Sequence, residues 1–206
     1  LTVASALSAD NGFHCIVILT SDIDLLYGQT LERVRRALRG LSVLGKNDWR
    51  DEERFERQLR TRPFVIVCSK NSSKLSSLLD AFRRARARGL STLIIDDEAD
   101  QASLNTFTSQ GTNQISRINR VISECRDYFP VNTYLQVTAT PQALFLQTPD
   151  HRYRPSFTVL SDPGPNYVGG DVFFGVDSPF LEYVDLQEVN QLQAGNQPRP
   201  TDTIPS

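Results

Sequence analysis

The sequence predicts an α/β fold in which a mainly parallel sheet carries helices on both faces. Short runs of apolar and β-branched residues alternate with segments of helical pattern, and this alternation is typical of β-α-β units. The apolar runs contain almost no polar residues, which indicates strands that are covered on both sides. Apolar residues make up 39% of the 206-residue chain, enough to support the core of one substantial domain.

The predicted elements follow one another along the first two thirds of the chain. The predicted strands are Phe13–Leu19, Phe64–Cys68, Thr92–Ile95 and Thr133–Val137. The predicted helices are Leu1–Ser8, Thr30–Leu38, Arg50–Leu59, Lys74–Arg88 and Ile115–Tyr128. Gly40 and Gly89 follow two of these helices, as glycines commonly do at helix ends. A polar loop, Ser103–Gln114, precedes the last helix.

The character of the chain changes after Pro141. The following residues are rich in proline, glycine and aromatic side chains, with one strand-like run at Phe157–Leu160. We therefore expect a first domain over residues 1–148 and an irregular segment over residues 149–206 that leads towards a further domain. The last residues, "AGNQPRPTDTIPS", predict a flexible or cut tail.

Composition excludes several classes of protein. No apolar run approaches the roughly 20 residues that span a membrane, so we expect no membrane partner. Three cysteines without paired spacing, Cys15, Cys68 and Cys125, indicate a reducing compartment such as the cytoplasm, and the first two predict buried thiols. The only histidines are His14 and His151, and neither CxxC nor HxxxH occurs, so we expect no zinc site.

Charge is distributed unevenly along the chain. Residues 1–90 contain 16 Lys+Arg and 10 Asp+Glu, whereas residues 91–206 contain 6 and 14. The basic residues cluster in segments 32–40, 50–62 and 82–89. Interleaved acidic residues favour solvated helix faces with internal salt bridges, and the alternative is a surface that faces phosphates.

A cluster of carboxylates follows the strand "LII" directly. Asp96, Asp97, Glu98 and Asp100 stand where a parallel strand would end, which is the edge at which such sheets bind ligands. Carboxylates held this closely repel one another, so a cation or a structural role is expected. Mg²⁺ carried by a nucleotide fits, because it takes one or two carboxylates together with phosphates. The structural alternative is a capped turn that leads into a helix.

The order of residues in this segment resembles sequence motifs of motor ATPases. Asp97-Glu98-Ala99-Asp100, followed about 40 residues later by Thr138-Ala139-Thr140, resembles the second and third motifs of superfamily-two helicases. The resemblance implies a RecA-like P-loop NTPase lobe that uses Mg²⁺ with ATP. It implies that Asp97 holds the ion through water and Glu98 orients the hydrolytic water, with Asp96 as a rival for the metal role. Asp100 would couple to Thr138 and Thr140 by hydrogen bonds.

An upstream segment carries a further resemblance. Residues 19–34, "LTSDIDLLYGQTLERV", resemble the helicase motif whose polar side chains meet the nucleic-acid backbone. The matching positions in this chain are Gln29, Thr30 and Arg33.

Several blocks together resemble a narrower family. The blocks are "QTLERV", "LIIDDEADQASLNT", "INRVI", "YLQVTATPQALFL" and "PNYVGGDVFFG". In this order they resemble the Z-one domain family of bacterial endonucleases with a helicase-like ATPase, over roughly residues 1–175. The resemblance implies a fragment of a nucleic-acid-dependent ATPase of a bacterial restriction or defence system. DNA and other subunits of that system are the expected partners, and the bacterial cytoplasm is the expected location.

The phosphate loop that such an ATPase needs, GxxxxGK[ST], does not occur in the sequence. The opening "LTVASALSADNG" resembles the helix after that loop, so we expect the chain to start just past it, without the first strand of the sheet. The fragment alone is then expected to be inactive. The alternative is a non-catalytic module that binds DNA or protein and retains a vestigial nucleotide site. A standalone nuclease is disfavoured because neither Glu-x-Lys nor Asp-x-Lys occurs.

Overall fold

The strands of this chain run parallel in one sheet. The structure is a computed structural model, and it describes residues 1–61, 63–100, 117–145, 153–162, 164–181, 187 and 189. The strands are β1 (Cys15–Thr20), β2 (Ser42–Leu44), β3 (Phe64–Ser69), β4 (Thr92–Asp97) and β5 (Asn132–Val137). Their order across the sheet is β2-β3-β1-β4-β5, and every neighbouring pair is parallel.

Helices connect the strands and cover the sheet. They are α1 (Thr2–Asp10), α2 (Asp24–Ala37), α3 (Glu52–Thr61), α4 (Ser72–Arg84), α5 (Arg117–Tyr128), α6 (Gln142–Phe145) and α7 (Gly170–Phe174). Single 3₁₀ turns lie at Asp48–Arg50 and Ala87–Gly89. Since all strands point the same way, the loops that follow them meet at one edge of the sheet, which we call the carboxyl edge.

Each face of the sheet has its own core. On one face Val17, Ile66 and Ile94 pack with apolar side chains from α3, α4 and α5. On the other face Ile16 and Ile95 pack with α1 and α2. Burial on both faces explains why β1 and β3 contain almost only apolar residues. The predicted α/β class, with a parallel sheet and helices on both faces, is confirmed.

An aromatic cluster joins the helices of the first face. Phe82 of α4 lies with its ring centroid 5.6 Å from that of Phe55 in α3 and 5.0 Å from that of Phe129, just after α5. All three rings are almost completely buried. Edge-to-face contacts of this kind add to the stabilisation that burial gives, so this cluster fixes three helices against the sheet.

Three of the differences from the sequence prediction have a clear physical cause. The edge strand β2 was missed, because three residues give no measurable periodicity. Helix α2 begins at Asp24, six residues before the predicted start. The predicted helix over residues 74–88 ends at Arg84, because Arg86 adopts a left-handed conformation with φ 51°.

The contact pattern divides the chain into two compact units, Leu1–Phe157 and Thr158–Ser206. Tyr153 lies in the core of the first unit, so that unit continues past the expected boundary at residue 148. The run Phe157–Leu160, predicted as strand-like, is exposed and irregular. In the second unit the Ser178 hydroxyl donates to carbonyls of α7.

Three further predictions concern a polar loop, membrane-spanning helices and the cysteines. The predicted polar loop Ser103–Gln114 lies outside them. Within them, no helix is long and apolar enough to cross a membrane. The thiols of Cys15 and Cys68 are buried and unbridged, as predicted.

Candidate functional site

The polar residues predicted to form a site meet at the carboxyl edge. In the sheet β4 lies between β1 and β5, and Asp97 at the end of β4 is paired with Val137 at the end of β5. The segment Asp96–Asp100, which we call the acidic turn, therefore lies beside Thr138. The hydroxyl of Thr20, at the end of β1, lies at the same edge.

Asp96 is the buried member of the acidic turn. Its side chain has no solvent exposure. One carboxylate oxygen, Oδ1, lies 3.2 Å from Lys70 Nζ, and Tyr134 donates a short hydrogen bond to the other, Oδ2. A buried carboxylate needs such partners, because an unpaired charge in the interior is strongly destabilising.

Lys70 follows β3 and reaches the acidic turn from two strands away. Only 3% of its side chain is exposed. Its ammonium donates to the carbonyl oxygens of Asp97 and Glu98, at 2.6 Å and 2.8 Å. Its own backbone amide donates to the carbonyl of Thr20, at 2.8 Å. This one residue thus connects the ends of β1, β3 and β4.

Asp97 and Glu98 carry the available carboxylates of the turn. Neither side chain makes a hydrogen bond or ion pair within the part of the chain that the structure describes. Asp97 is partly exposed and belongs to the opposite side of the sheet from Asp96, since side chains alternate along a strand. Glu98 is exposed, and its backbone is left-handed, with φ 53°.

Asp100 is bound to the end of β5. It accepts hydrogen bonds from the hydroxyls of Thr138 and Thr140, at 2.5 Å and 2.6 Å. Burial raises the pKa of Asp100, but these two hydrogen bonds, a backbone hydrogen bond and the nearby Lys70 charge together lower it below the usual value. A backbone hydrogen bond from Ala99 to the carbonyl of Val137, at 3.1 Å, adds a second attachment. The two segments are therefore held as one unit.

Tyr134, which donates to the buried Asp96 carboxylate, lies beside Arg126 and Tyr153. The Arg126 guanidinium lies 4.6 Å from the ring centroid of Tyr134 and 5.2 Å from that of Tyr153. Burial raises the pKa of Tyr134 well above its usual value, and the nearby Asp96 raises it further. The Tyr134 hydroxyl consequently keeps its proton and remains a donor to Asp96 at physiological pH.

The residues predicted to meet nucleic acid lie on α2. Gln29 and Arg33 are exposed and one helical turn apart, so both lie on the outer face. Thr30 is buried, and its hydroxyl lies 3.5 Å from that of Thr20. The structure therefore presents Gln29 and Arg33 to solvent, whereas Thr30 faces the end of β1.

Part of the arginine-rich surface is paired internally. Arg35 and Arg54 both bind Asp48, and Arg84 binds Glu52 at 2.8 Å. Arg33 is exposed and makes no ion pair with the described residues. The salt bridges agree with the first interpretation of the basic segments, and the second, a surface that faces phosphates, stays a prediction.

The donor set at the carboxyl edge suits a nucleotide-borne Mg²⁺. Among the described residues, no group of three His, Cys, Asp or Glu side chains could hold a metal ion. Mg²⁺ needs no such cage, since it takes one or two carboxylates and completes its shell with water and phosphate. The Asp97 carboxylate is partly exposed and has no partner among the described residues, whereas the oxygens of Asp96 face Lys70 and Tyr134.

Sequence reasoning missed Lys70 and Tyr134. The sequence offers no glycine loop before Lys70, so no phosphate-loop pattern drew attention to it. A lysine placed directly after a fully buried strand was the available signal. Its partner, Asp96, is 26 residues further along and becomes a neighbour only through the order of the strands.

Comparisons with protein-family models, with curated proteins and with solved structures find no match to this chain. The function of the chain is therefore inferred from its residues and their geometry.

Proposed function

We propose that this chain is the first lobe of a nucleic-acid-dependent, helicase-like ATPase of a bacterial restriction or defence endonuclease. The observation that carries the proposal is the position of Asp97 and Glu98 at the carboxyl edge of a parallel sheet, where their carboxylates have no partner among the described residues. Parallel sheets bind nucleotides at that edge. The resemblance of "DDEADQAS" and "TATP" to the Z-one domain family supports the same conclusion.

Each residue of the edge has a role in this proposal. Asp97 binds the Mg²⁺ that accompanies ATP, through a water molecule, and Mg²⁺ neutralises charge on the phosphates. Glu98 accepts a hydrogen bond from the attacking water and orients it, as the acidic residue after the metal ligand does in such motors. Asp96 is assigned to the support of the turn, because both of its oxygens face partners in the protein.

The proposal also assigns the residues that contact nucleic acid and those that couple them to the nucleotide site. Asp100, Thr138 and Thr140 form the hydrogen-bonded unit that would move when the nucleotide is hydrolysed. Gln29 and Arg33 present donors from α2 to a phosphate backbone. DNA is the proposed polymer, and the phosphate loop and second lobe are expected in other parts of the intact protein.

The first experiment measures ATP hydrolysis by the intact natural protein, with and without DNA. We expect magnesium-dependent hydrolysis that DNA stimulates. An intact protein that binds neither ATP nor its magnesium complex contradicts the proposal. DNA binding without nucleotide binding would instead support the alternative, a DNA-binding module with a vestigial site.

A matched pair of variants tests the nucleic-acid surface. Arg33→Ala removes an exposed cation that has no ion partner among the described residues, and we expect it to raise the DNA concentration needed for half-maximal stimulation. Arg36→Ala, on the same helix, removes an arginine already paired with Glu32 at 3.4 Å and serves as the control. Equal effects of the two changes would show that α2 contributes only general charge.

A further inference from the structure

The ammonium of Lys70 contacts three successive residues of the acidic turn. It lies 3.2 Å from the Asp96 carboxylate, 2.6 Å from the Asp97 carbonyl and 2.8 Å from the Glu98 carbonyl. Two N–H groups of the ammonium donate to the two carbonyls, and the contact with Asp96 is an ion pair, since Oδ1 accepts no hydrogen bond from the described residues. A lysine that is 3% exposed and held by these three contacts is directed at the protein rather than at a phosphate.

The acidic turn has a conformation that needs such support. Glu98 is left-handed, with φ 53°, and a side chain other than glycine adopts this region at a cost in free energy. The carbonyls on both sides of the Glu98 Cα, those of Asp97 and Glu98 itself, converge on the same ammonium. The ammonium therefore binds the backbone before and after the left-handed Cα.

The position of Lys70 is itself fixed. Its amide donates to the Thr20 carbonyl at 2.8 Å, and the next residue, Asn71, caps α4 by accepting hydrogen bonds from the amides of Ser73 and Lys74. Lys70 thus stands between the end of a buried strand and the start of a helix. A donor held at a fixed place can impose a conformation on the segment it binds.

We infer that Lys70 is the positioning residue of the acidic turn, which holds Glu98 left-handed and so directs its carboxylate out of the carboxyl edge. Asp96 has the accompanying role of balancing the buried ammonium. The inference deepens the proposed function, because the direction of Glu98 matters for catalysis only if Glu98 orients a water molecule. The role of Lys70 in holding the Glu98 backbone does not depend on the proposed function, because it follows from the contacts of the ammonium.

The test compares two variants that differ in the ammonium. Asp96→Asn keeps Lys70 and its two carbonyl contacts, and it costs stability because the buried ammonium loses its carboxylate. The asparagine amide can donate to the Tyr134 oxygen. The double variant Lys70→Met with Asp96→Asn removes both charges together, so that no unpaired charge remains in the interior. Circular dichroism and the midpoint of denaturation establish that both are folded.

The structural measurement is the ¹³Cα and ¹³Cβ chemical shifts of Glu98 in the isotope-labelled chain. We expect left-handed values in the wild type and in Asp96→Asn, and a change to right-handed or extended values in the double variant. Left-handed shifts retained in the double variant would overturn the inference.

The wild type alone gives a second check that needs no mutation. The Lys70 ammonium should exchange its protons with water more slowly than the ammonium of Lys46, which is 42% exposed, and equal exchange rates would also overturn the inference.

The catalytic measurement uses the intact protein with the same substitutions. Relative to Asp96→Asn, the double variant should lower phosphate release by at least about tenfold, since small displacements of a catalytic group have effects of this size or larger. Affinity for the nucleotide should change less than phosphate release. Equal phosphate release in the two variants would overturn the catalytic part. A wild type without ATPase activity would contradict the proposed function, and the Glu98 shifts would still decide the role of Lys70.

Discussion

At the scale of single residues, the acidic turn separates four carboxylates into different roles. Asp96 is buried against Lys70 and Tyr134, and Asp100 is bound by the hydroxyls of Thr138 and Thr140. The carboxylates of Asp97 and Glu98 make no hydrogen bond or ion pair with the described residues at the edge. The repulsion expected among the four groups is thus relieved by one cation and two hydroxyls of the chain itself.

Two substitutions distinguish the roles of the available carboxylates. In the intact protein, Glu98→Gln should abolish turnover and leave nucleotide binding nearly unchanged, because the amide keeps the shape but cannot accept a proton. Asp97→Asn should also weaken magnesium-dependent nucleotide affinity. Titration of a fluorescent nucleotide and measurement of phosphate release separate the two effects. Retention of more than about a tenth of turnover by Glu98→Gln, a loss under about 1.4 kcal/mol in barrier height, contradicts the catalytic role.

The pH dependence of stability tests the hydrogen bonds on Asp100. Its pKa is lowered in the folded chain, so its carboxylate stabilises the fold above the unfolded pKa of about 3.9, and this contribution is lost as the pH falls through the folded value. Replacing Thr138 and Thr140 together by valine should raise the pKa of Asp100. The fall in the free energy of unfolding between pH 5 and pH 3 should then be smaller than in the wild type.

Denaturant titrations at several pH values measure this difference. Thr133→Val is the matched control, since Thr133 is an exposed threonine on the same strand, β5. An unchanged pH dependence in the Thr138 and Thr140 variant would show that the two hydroxyls do not hold the charged form of Asp100.

At the scale of elements, the end of α4 shows that the path of the chain into β4 overrides the local helical pattern. The amphipathic pattern continues to Arg88, yet the α-helix ends at Arg84. Arg86 turns left-handed, and its amide bonds the Arg83 carbonyl at 3.1 Å. The chain must reverse here to enter β4 at Thr92, so tertiary connection overrides helix propensity.

Replacing Arg86 by glycine should stabilise the chain. Glycine adopts φ 51° without the clash between Cβ and carbonyl, and we expect a gain of about 0.5–1 kcal/mol after its larger loss of backbone entropy. Chemical denaturation measures the change. Ala85→Gly is the control, because Ala85 has φ −75° and should lose about 1 kcal/mol. Destabilisation by both substitutions would show that the left-handed residue is not strained.

At the scale of the whole molecule, every lysine of the chain is already bound to an acidic residue. Lys46 pairs with Asp24 at 3.2 Å, Lys74 pairs with Asp22 at 2.8 Å, and Lys70 pairs with Asp96. None of the three stands in a glycine-rich loop. The chain by itself thus offers an acidic edge but no lysine in position to bind nucleotide phosphates.

The isolated chain should therefore fail to hydrolyse ATP. Positioning and electrostatic stabilisation of the phosphates provide most of the catalysis of phosphoryl transfer, and both depend on the phosphate loop. Phosphate release by the purified chain, followed with and without DNA, is the measurement. A rate on the order of 1 per second would contradict the prediction and would call for a phosphate site elsewhere in the chain.

The sequence by itself determined the class of the fold and the place of the acidic turn. Buried parallel strands need apolar side chains on both faces, so β1 and β3 stand out in the sequence to within about two residues of their observed ends. The carboxylates after "LII" can likewise be recognised in the sequence, because polar residues follow an apolar run where a buried strand ends. Periodicity failed at β2, where three edge residues are too few to form a pattern.

Only the tertiary structure decided which carboxylates are available. Lys70 and Asp96 become neighbours because β1 lies between β3 and β4 and all three strands end at one edge, an arrangement of strand order that no local pattern encodes. Asp96 and Asp97 are adjacent in sequence and identical in chemistry. The alternation of side chains along β4 places the first against a buried ammonium and leaves the second partly exposed, and this difference is the physical reason that they receive different roles.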